Sequence, residues 1–180
     1  MPAQAETPFV HPELVARSLG VEPGMVVADF GAGSGHYALE FARLVGGSGR
    51  VYAIDVQHDL LRRIKNEAAS RGLMNVHTVH ADIEREGGTR LADRVVDLAL
   101  LSNVLFQLEA PESALRESWR VVKPGGRVAV IDWLDSFGGM GPIGKHVLGR
   151  ARAHELAQDS GFELIRELPA GARHFALVLK

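Results

Sequence analysis

Three aspartates stand where short apolar runs give way to polar loops, and the first leads into three closely spaced glycines. The segment reads Asp29-Phe30-Gly31-Ala32-Gly33-Ser34-Gly35, between the apolar run 25–30 and an amphipathic stretch that begins near His36. Glycines at a strand-to-helix turn let the backbone approach a ligand closely, because no side chain intervenes. The spacing is G-x-G-x-G, whereas dinucleotide-binding loops use G-x-G-x-x-G to seat a pyrophosphate on a helix N-terminus. Asp29, two residues before the first glycine, would repel a pyrophosphate but suits a ligand carrying an ammonium and a sulfonium.

The other two acids extend the same crevice. Asp55 closes Val51-Tyr52-Ala53-Ile54-Asp55, 20 residues beyond Gly35, an offset at which a carboxylate accepts both hydroxyls of a nucleoside ribose. The next apolar run delivers His80-Ala81-Asp82-Ile83. There Asp82 can take an adenine amine while Ile83 packs on the ring. Asp55 or Asp82 alone also has a plainer reading, as the cap of the next helix. Three carboxylates at three successive strand ends point instead to one ligand crevice, the usual place in an open α/β sheet. Together with the loop spacing, they favour S-adenosylmethionine (SAM) over NAD.

Positioning these groups requires strands and helices in alternation. The runs 25–30, 51–54, 76–79, 95–101, 127–133 and 173–179 are rich in Val, Ile and Leu on both parities, as parallel strands covered on both faces are. Tyr37, Phe41, Leu44 and Val45 make a helical stripe that stops at Gly46-Gly47, and Leu60, Leu61, Ile64 and Ala68 make another ending before Gly72. Pro111 opens a third helix with Leu115, Trp119 and Val122 on one face, and Lys123-Pro124-Gly125-Gly126 ends it. A fourth helix runs from about Gly149 to Ser160, and Pro12 starts a short one ahead of the first strand. Such alternation predicts a doubly wound parallel sheet. The last two strands, 162–168 and 173–179, are too close in sequence for a crossover and must form an antiparallel hairpin.

Bulk properties narrow the classes. A chain of 180 residues suits one domain, here 1–180, with 1–24 as an N-terminal helix and lid segment. The net charge of −2 gives no electrostatic footprint for nucleic acid or a membrane surface. The absence of cysteine excludes disulfides, thiol nucleophiles and cysteine-ligated metals. No apolar run approaches the roughly 20 residues that span a bilayer, and residues 1–9 lack the pattern of a signal peptide. The expected location is the cytoplasm, without membrane insertion.

The segments 26–38, 51–56, 80–83, 95–108 and 115–132 resemble the successive motifs of class I SAM-dependent methyltransferases. They look most like the small bacterial and archaeal members similar to ubiquinone/menaquinone-biosynthesis methyltransferases. The glycine loop and Val121-Val122-Lys123-Pro124-Gly125-Gly126 carry the resemblance most specifically, and it extends from about His11 to Lys180. It implies a Rossmann-like seven-stranded sheet of order 3-2-1-4-5-7-6 with strand 7 antiparallel. It also implies that Gly31, Ala32, Gly33 and Gly35 wrap the methionine moiety, with Asp29 near its amino group. Asp55 and Val56 would serve the ribose, Asp82 and Ile83 the adenine, and Ser102 and Asn103 would border the sulfonium and the acceptor. The cofactor is then SAM and the product S-adenosylhomocysteine.

Departures from the pattern exclude some acceptors. Leu101-Ser102-Asn103-Val104 is not the D/N-P-P-Y/F of enzymes acting on nucleobase or glutamine amino groups, so a small molecule is expected rather than nucleic acid. Arsenite methyltransferases rely on cysteines that are missing here. Asn103, Asp132 and Asp135 have the wrong spacing for a metal-dependent catechol-type centre, so no metal is expected. No catalytic residue is assigned. His36, Asn103 and His146 are the named candidates, with His58 and Asp135 behind them, and Phe106, Gln107 and Trp133 can line the acceptor side. The short glycine-rich segment 134–148 suggests an open pocket for a large acceptor, a minimal lid formed with residues 1–10, or a homodimer that completes the site. A non-catalytic SAM-binding subunit is the alternative reading.

Overall fold

The computed structural model describes residues 11–138 and 141–180. Among them run the helices α1 (Pro12–Ser18), α2 (His36–Val45), α3 (His58–Ser70), α4 (Pro111–Val121) and α5 (Arg150–Asp159). They alternate with the strands β1 (Val26–Phe30), β2 (Arg50–Asp55), β3 (Val76–His80), β4 (Val96–Ser102), β5 (Val122–Trp133), β6 (Leu164–Leu168) and β7 (His174–Leu179). The sheet order is β3-β2-β1-β4-β5-β7-β6. β1 pairs in parallel with β2 and β4, β2 with β3, and β4 with β5, while β7 is antiparallel to β5 and β6. This is the doubly wound order expected above, hairpin included. The segment 1–10, expected as part of a lid, lies outside the described residues.

The core occupies both faces of the sheet. Val27, Val51, Leu98 and Ile131 pack on one face with Ala16 of α1 and Phe41 and Val45 of α2. Phe30, Ile54, Leu101 and Val130 pack on the other with Leu115 of α4 and Leu156 of α5. Neighbouring residues of one strand thus serve opposite cores, which is why the central strands are apolar on both parities. Each such side chain contributes roughly 1.5–3 kcal/mol on full burial.

The end of α4 differs from expectation. Val122 is extended, at ψ 134°, and pairs with Val96 as the first residue of β5. Pro124 disfavours helical conformation at Lys123 and lacks an N–H. The chain therefore leaves the helix one residue early, at Val121, and loops outward before Arg127 resumes pairing with Leu98. Trp119 is half-exposed and meets Phe162 edge-on at 4.9 Å rather than entering the core. Asp97 closes the outward loop, accepting from Lys123 Nζ at 2.8 Å and from the Val26 N–H at 2.8 Å.

A Cβ on Gly126 would lie 2.6 Å from Val122 Cγ1 and 2.9 Å from the Asp97 carbonyl oxygen. Gly126→Ala is expected to cost about 1–3 kcal/mol, as overpacking does. A urea titration should show the midpoint fall at unchanged slope.

Candidate functional site

The loop between β1 and α2 is held from β2. The N–H groups of Gly31 and Ala32 both donate to the Ile54 carbonyl, at 2.8 and 2.9 Å. Asp55 then clamps the loop from its side chain: Oδ2 accepts from the Gly33 N–H and Oδ1 from the Gln57 N–H, each at 2.9 Å. Gly31, Gly33 and Gly35 take φ values of +73°, +53° and +80°, which L side chains rarely adopt. A Cβ on Gly31 would also lie 2.6 Å from Val104 Cγ2, and one on Gly35 would lie 2.6 Å from Ile64 Cγ1. At Gly33 the nearest atom would be 3.9 Å away. There the backbone conformation rather than crowding demands glycine.

This loop walls a cavity of about 570 Å³ over the carboxyl ends of the parallel strands. Asp29, Gly31, Ala32, Gly33, Asp55, Val56, Asp82, Ile83, Ser102 and Asn103 all line it, together with His36, Gln107 and Trp133. Gly35 does not line it. Its place is behind the wall, against Ile64, where its left-handed backbone starts α2. His146 is also absent from the lining and lies exposed on a 3-10 turn, Gly144–His146. His58 stacks on His80 with ring centroids 3.6 Å apart, outside the cavity. Phe106 is not a lining residue either; its N–H is turned to Asp132.

The three candidates weighed for a metal do not converge. Asp132 is buried and accepts from the Trp133 N–H at 2.8 Å, whereas Asp135 is exposed and accepts from the Ser136 N–H. Burial lifts the Asp132 carboxyl to about 6 against the pull of the Trp133, Phe106 and Leu105 N–H groups. Asp132 thereby fixes the turn after β4 rather than offering free oxygens to the cavity.

Several polar atoms of lining residues are buried without a hydrogen-bond partner: Asp29 Oδ2, Asn103 Oδ1 and both ring nitrogens of His174, while the Tyr37 hydroxyl and Ser102 Oγ are buried side by side. A buried donor or acceptor left unsatisfied costs about 1–3 kcal/mol. Burial raises the Asp29 carboxyl to about 7, opposed by the Ala38 N–H in the first turn of α2 and reinforced by Asp55. Burial likewise holds the Tyr37 phenol far above its ordinary value, beside Ser102. Asn103 adopts φ +53°, a strained conformation for a residue other than glycine, and its N–H donates to the Ile131 carbonyl at 2.8 Å.

Sequence reasoning missed Tyr37 and His174. Tyr37 stands first in the α2 stripe, where its spacing alone gives no sign of a site. His174 opens β7 with no motif around it; only the pairing of Trp133 with His174 across β5 and β7 brings it to the cavity. It also missed Glu117, which is buried on α4 and receives the Gly87 N–H at 2.8 Å, the Thr89 N–H at 3.2 Å and Arg120. That network anchors the loop following Asp82 and Ile83.

The comparisons with known proteins agree with this geometry. A family model described as a methyltransferase domain matches residues 21–163. The ubiquinone/menaquinone biosynthesis C-methyltransferase UbiE of Vibrio campbellii is 33% identical over 115 residues, which cover 63% of this chain and 43% of that protein. The chain thus spans less than half the length of the curated relatives it matches. Among solved structures, a SAM-dependent methyltransferase from Aquifex aeolicus superposes with a TM-score of 0.86 at 29% identity, covering 99% of this chain and 93% of that one. The [4+2]-cyclase SpnF superposes at 0.76 with 25% identity, over 90% of this chain and 60% of its own. The chain belongs to the methyltransferase domain family, in its class I, SAM-dependent form.

The raised Asp29 has a consequence for stability. Because its folded value of about 7 lies above the ordinary 3.8, its favourable contribution is complete below 3.8 and is lost as pH rises through 7. Asp29→Asn is expected to leave stability nearly unchanged at pH 4 and to raise it at pH 8, by on the order of a few kcal/mol. Urea unfolding of the ligand-free protein at the two pH values measures the difference.

Proposed function

We propose that this chain transfers the methyl group of SAM to a small-molecule acceptor. SAM supplies an electrophilic methyl group on a sulfonium, and the cavity residues fit the rest of the donor. The observation that carries the reading is the unpartnered, buried Asp29 Oδ2 beside the glycine wall of Gly31 and Gly33, where a Cβ at Gly31 would collide with Val104. An ammonium satisfies that oxygen and a methionine chain fits the glycine-walled space. Asp55 has two oxygens with about four acceptor directions in all, of which the Gly33 and Gln57 N–H groups use two. The remaining two suit a ribose diol. Asp82, oriented by the Glu84 N–H at 3.0 Å and by Arg85, serves the adenine amine while the buried Ile83 packs against the ring.

On this reading Gly31, Ala32 and Gly33 hold the methionine moiety, Val56 borders the ribose, and Ser102 and Asn103 stand between donor and acceptor. The residues act chiefly by orientation: holding nucleophile, methyl group and sulfur in line is worth up to ~7–11 kcal/mol. No helix among the described residues is long and apolar enough to cross a membrane, and a cytoplasmic enzyme is part of the proposal. No feature of the site favours the non-catalytic alternative.

Titration calorimetry tests the donor. SAM and S-adenosylhomocysteine are expected to bind and NAD not to bind. Hydrogen bonds to a charged group are worth about 1.5–3 kcal/mol each, so Asp55→Ala should weaken SAM by at least about tenfold. Unchanged affinity in that variant counts against the assignment. The pH dependence gives a further check. Asp29 must ionise, at about 7, whereas an α-amino group loses its proton near ~7.7–8.0. SAM should therefore bind best between about pH 7 and 8, weakening on either side, and a flat profile from pH 6 to 9 removes Asp29 from the site.

A further inference from the structure

A cavity of different character lies at the other end of the sheet. The outward loop Lys123-Pro124-Gly125-Gly126, Arg94 ahead of β4, and the turn between α5 and β6 enclose about 630 Å³. That is within the ~300–1,000 Å³ usual for small-molecule sites. Val122, on its wall, pairs with Val96 at the start of β4, whereas Ser102 at the end of β4 lines the glycine-loop cavity. At ~3.3 Å per residue the two spaces are roughly 20 Å apart.

Their charges are opposite. Among the described residues, the glycine-loop cavity is lined by Asp29, Asp55, Asp82 and Glu84 and by no lysine or arginine. Here the wall carries Arg94, Lys123, Arg127 and Lys180, with Glu163 its one carboxylate side chain. Lys180 and Glu163 close on each other, through an ion pair at 3.1 Å and two backbone hydrogen bonds. Lys123 pairs with Asp97 at 2.8 Å. Arg127 reaches only the Gly20 carbonyl, at 3.4 Å, and the Arg94 guanidinium has no partner among the described residues.

Arg94 is also held in strained backbone. Its φ is +56°, and the N–H groups of Arg94 and Val95 keep it there by donating to the Arg120 and Val121 carbonyls at 3.0 and 2.8 Å. Glycine adopts that conformation freely, so what arginine adds at this position is its guanidinium. Trp119 supplies an aromatic surface on the same wall. It is half-exposed, with Phe162 set at 79° to its ring. No serine, threonine, asparagine, glutamine, tyrosine or histidine lines the cavity, so its side chains recognise charge and ring faces rather than a hydrogen-bonding pattern.

We infer that this cavity binds a small aromatic phosphate, with the phosphate on Arg94 and the ring against Trp119. A guanidinium matches phosphate oxygens two at a time. The excess of cations on the wall suits the charge of about −1.5 to −2 that a phosphomonoester carries at pH 7. The site is independent of the methyl-transfer reading.

Phenyl phosphate is the probe, titrated into the whole chain with and without saturating S-adenosylhomocysteine. It is expected to bind at least about tenfold more tightly than inorganic phosphate or phenol, since each of those offers only half of the ligand. In amide NMR spectra it should move the indole N–H signal of Trp119 and leave that of Trp133 in place, with Trp119→Phe assigning the two. Arg94→Gly should keep the urea midpoint at or above that of wild type, and bind phenyl phosphate at least about tenfold more weakly. Equal affinity for inorganic phosphate or phenol, an unmoved Trp119 signal, or unchanged affinity in Arg94→Gly overturns the proposal. Displacement of the probe by S-adenosylhomocysteine puts it in the glycine-loop cavity and overturns the proposal as well. Should Arg94→Gly not fold, the three probes and the indole signals of the wild type decide. A protein that binds phenyl phosphate but not S-adenosylhomocysteine overturns the methyl-transfer reading and leaves this site standing.

Discussion

The grip of β2 on the loop after β1 is the interaction on which the rest of the site depends. Three successive glycines in left-handed backbone have no intrinsic reason to stay in one conformation, since glycine loses more freedom on ordering than any other residue. The Ile54 carbonyl receives two of the loop's N–H groups and the Asp55 carboxylate a third. The same carboxylate, through the Gln57 N–H, fixes the start of α3. Because β1 and β2 are parallel neighbours in register from Val26–Arg50 to Phe30–Ile54, their ends arrive side by side, and one residue at the end of β2 can order the loop and still face a ligand. Sheet register thereby becomes site geometry.

The opposite half of the cavity is built on different terms. There the chain passes through a strained Asn103, a 3-10 turn from Leu105 to Gln107, and the buried Asp132 that receives N–H groups from both the turn and β5. A carboxylate kept in a buried position raises the free energy of the folded state at neutral pH, and it persists because it gives otherwise unpaired N–H groups an acceptor. Both halves therefore invest buried charge in shaping loops. Asp29 does so at the end of β1, beside the first turn of α2, and Asp132 where the turn after β4 meets β5.

Much of this was legible in the sequence, for physical reasons. Strands buried on both faces announce themselves as apolar on both parities, as β4 does, and a glycine pattern flanked by Asp29, Asp55 and Asp82 is local enough to read along one chain. Connection length alone gave the antiparallel hairpin of β6 and β7. What escaped was whatever depends on pairing between distant segments. His174 reaches the cavity only through its register with Trp133, and Glu117 is a buried anion only because Gly87, Thr89 and Arg120 surround it. Trp119 followed a helical stripe on paper but falls at the rim of α4, where Phe162 covers one edge of its ring. Gly35 was assigned to the ligand by its place in the motif. In the structure that glycine packs against Ile64 of α3 and is not on the cavity lining.

The carboxylate-lined wall also bears on turnover. A sulfonium is cationic and the thioether it becomes is neutral, so the attraction exerted on the sulfur end of the donor by a wall lacking lysine and arginine disappears at the moment of reaction. Charge-dependent attraction strengthens as the local dielectric falls. On the proposed reading, charge as well as shape then distinguishes spent donor from fresh donor.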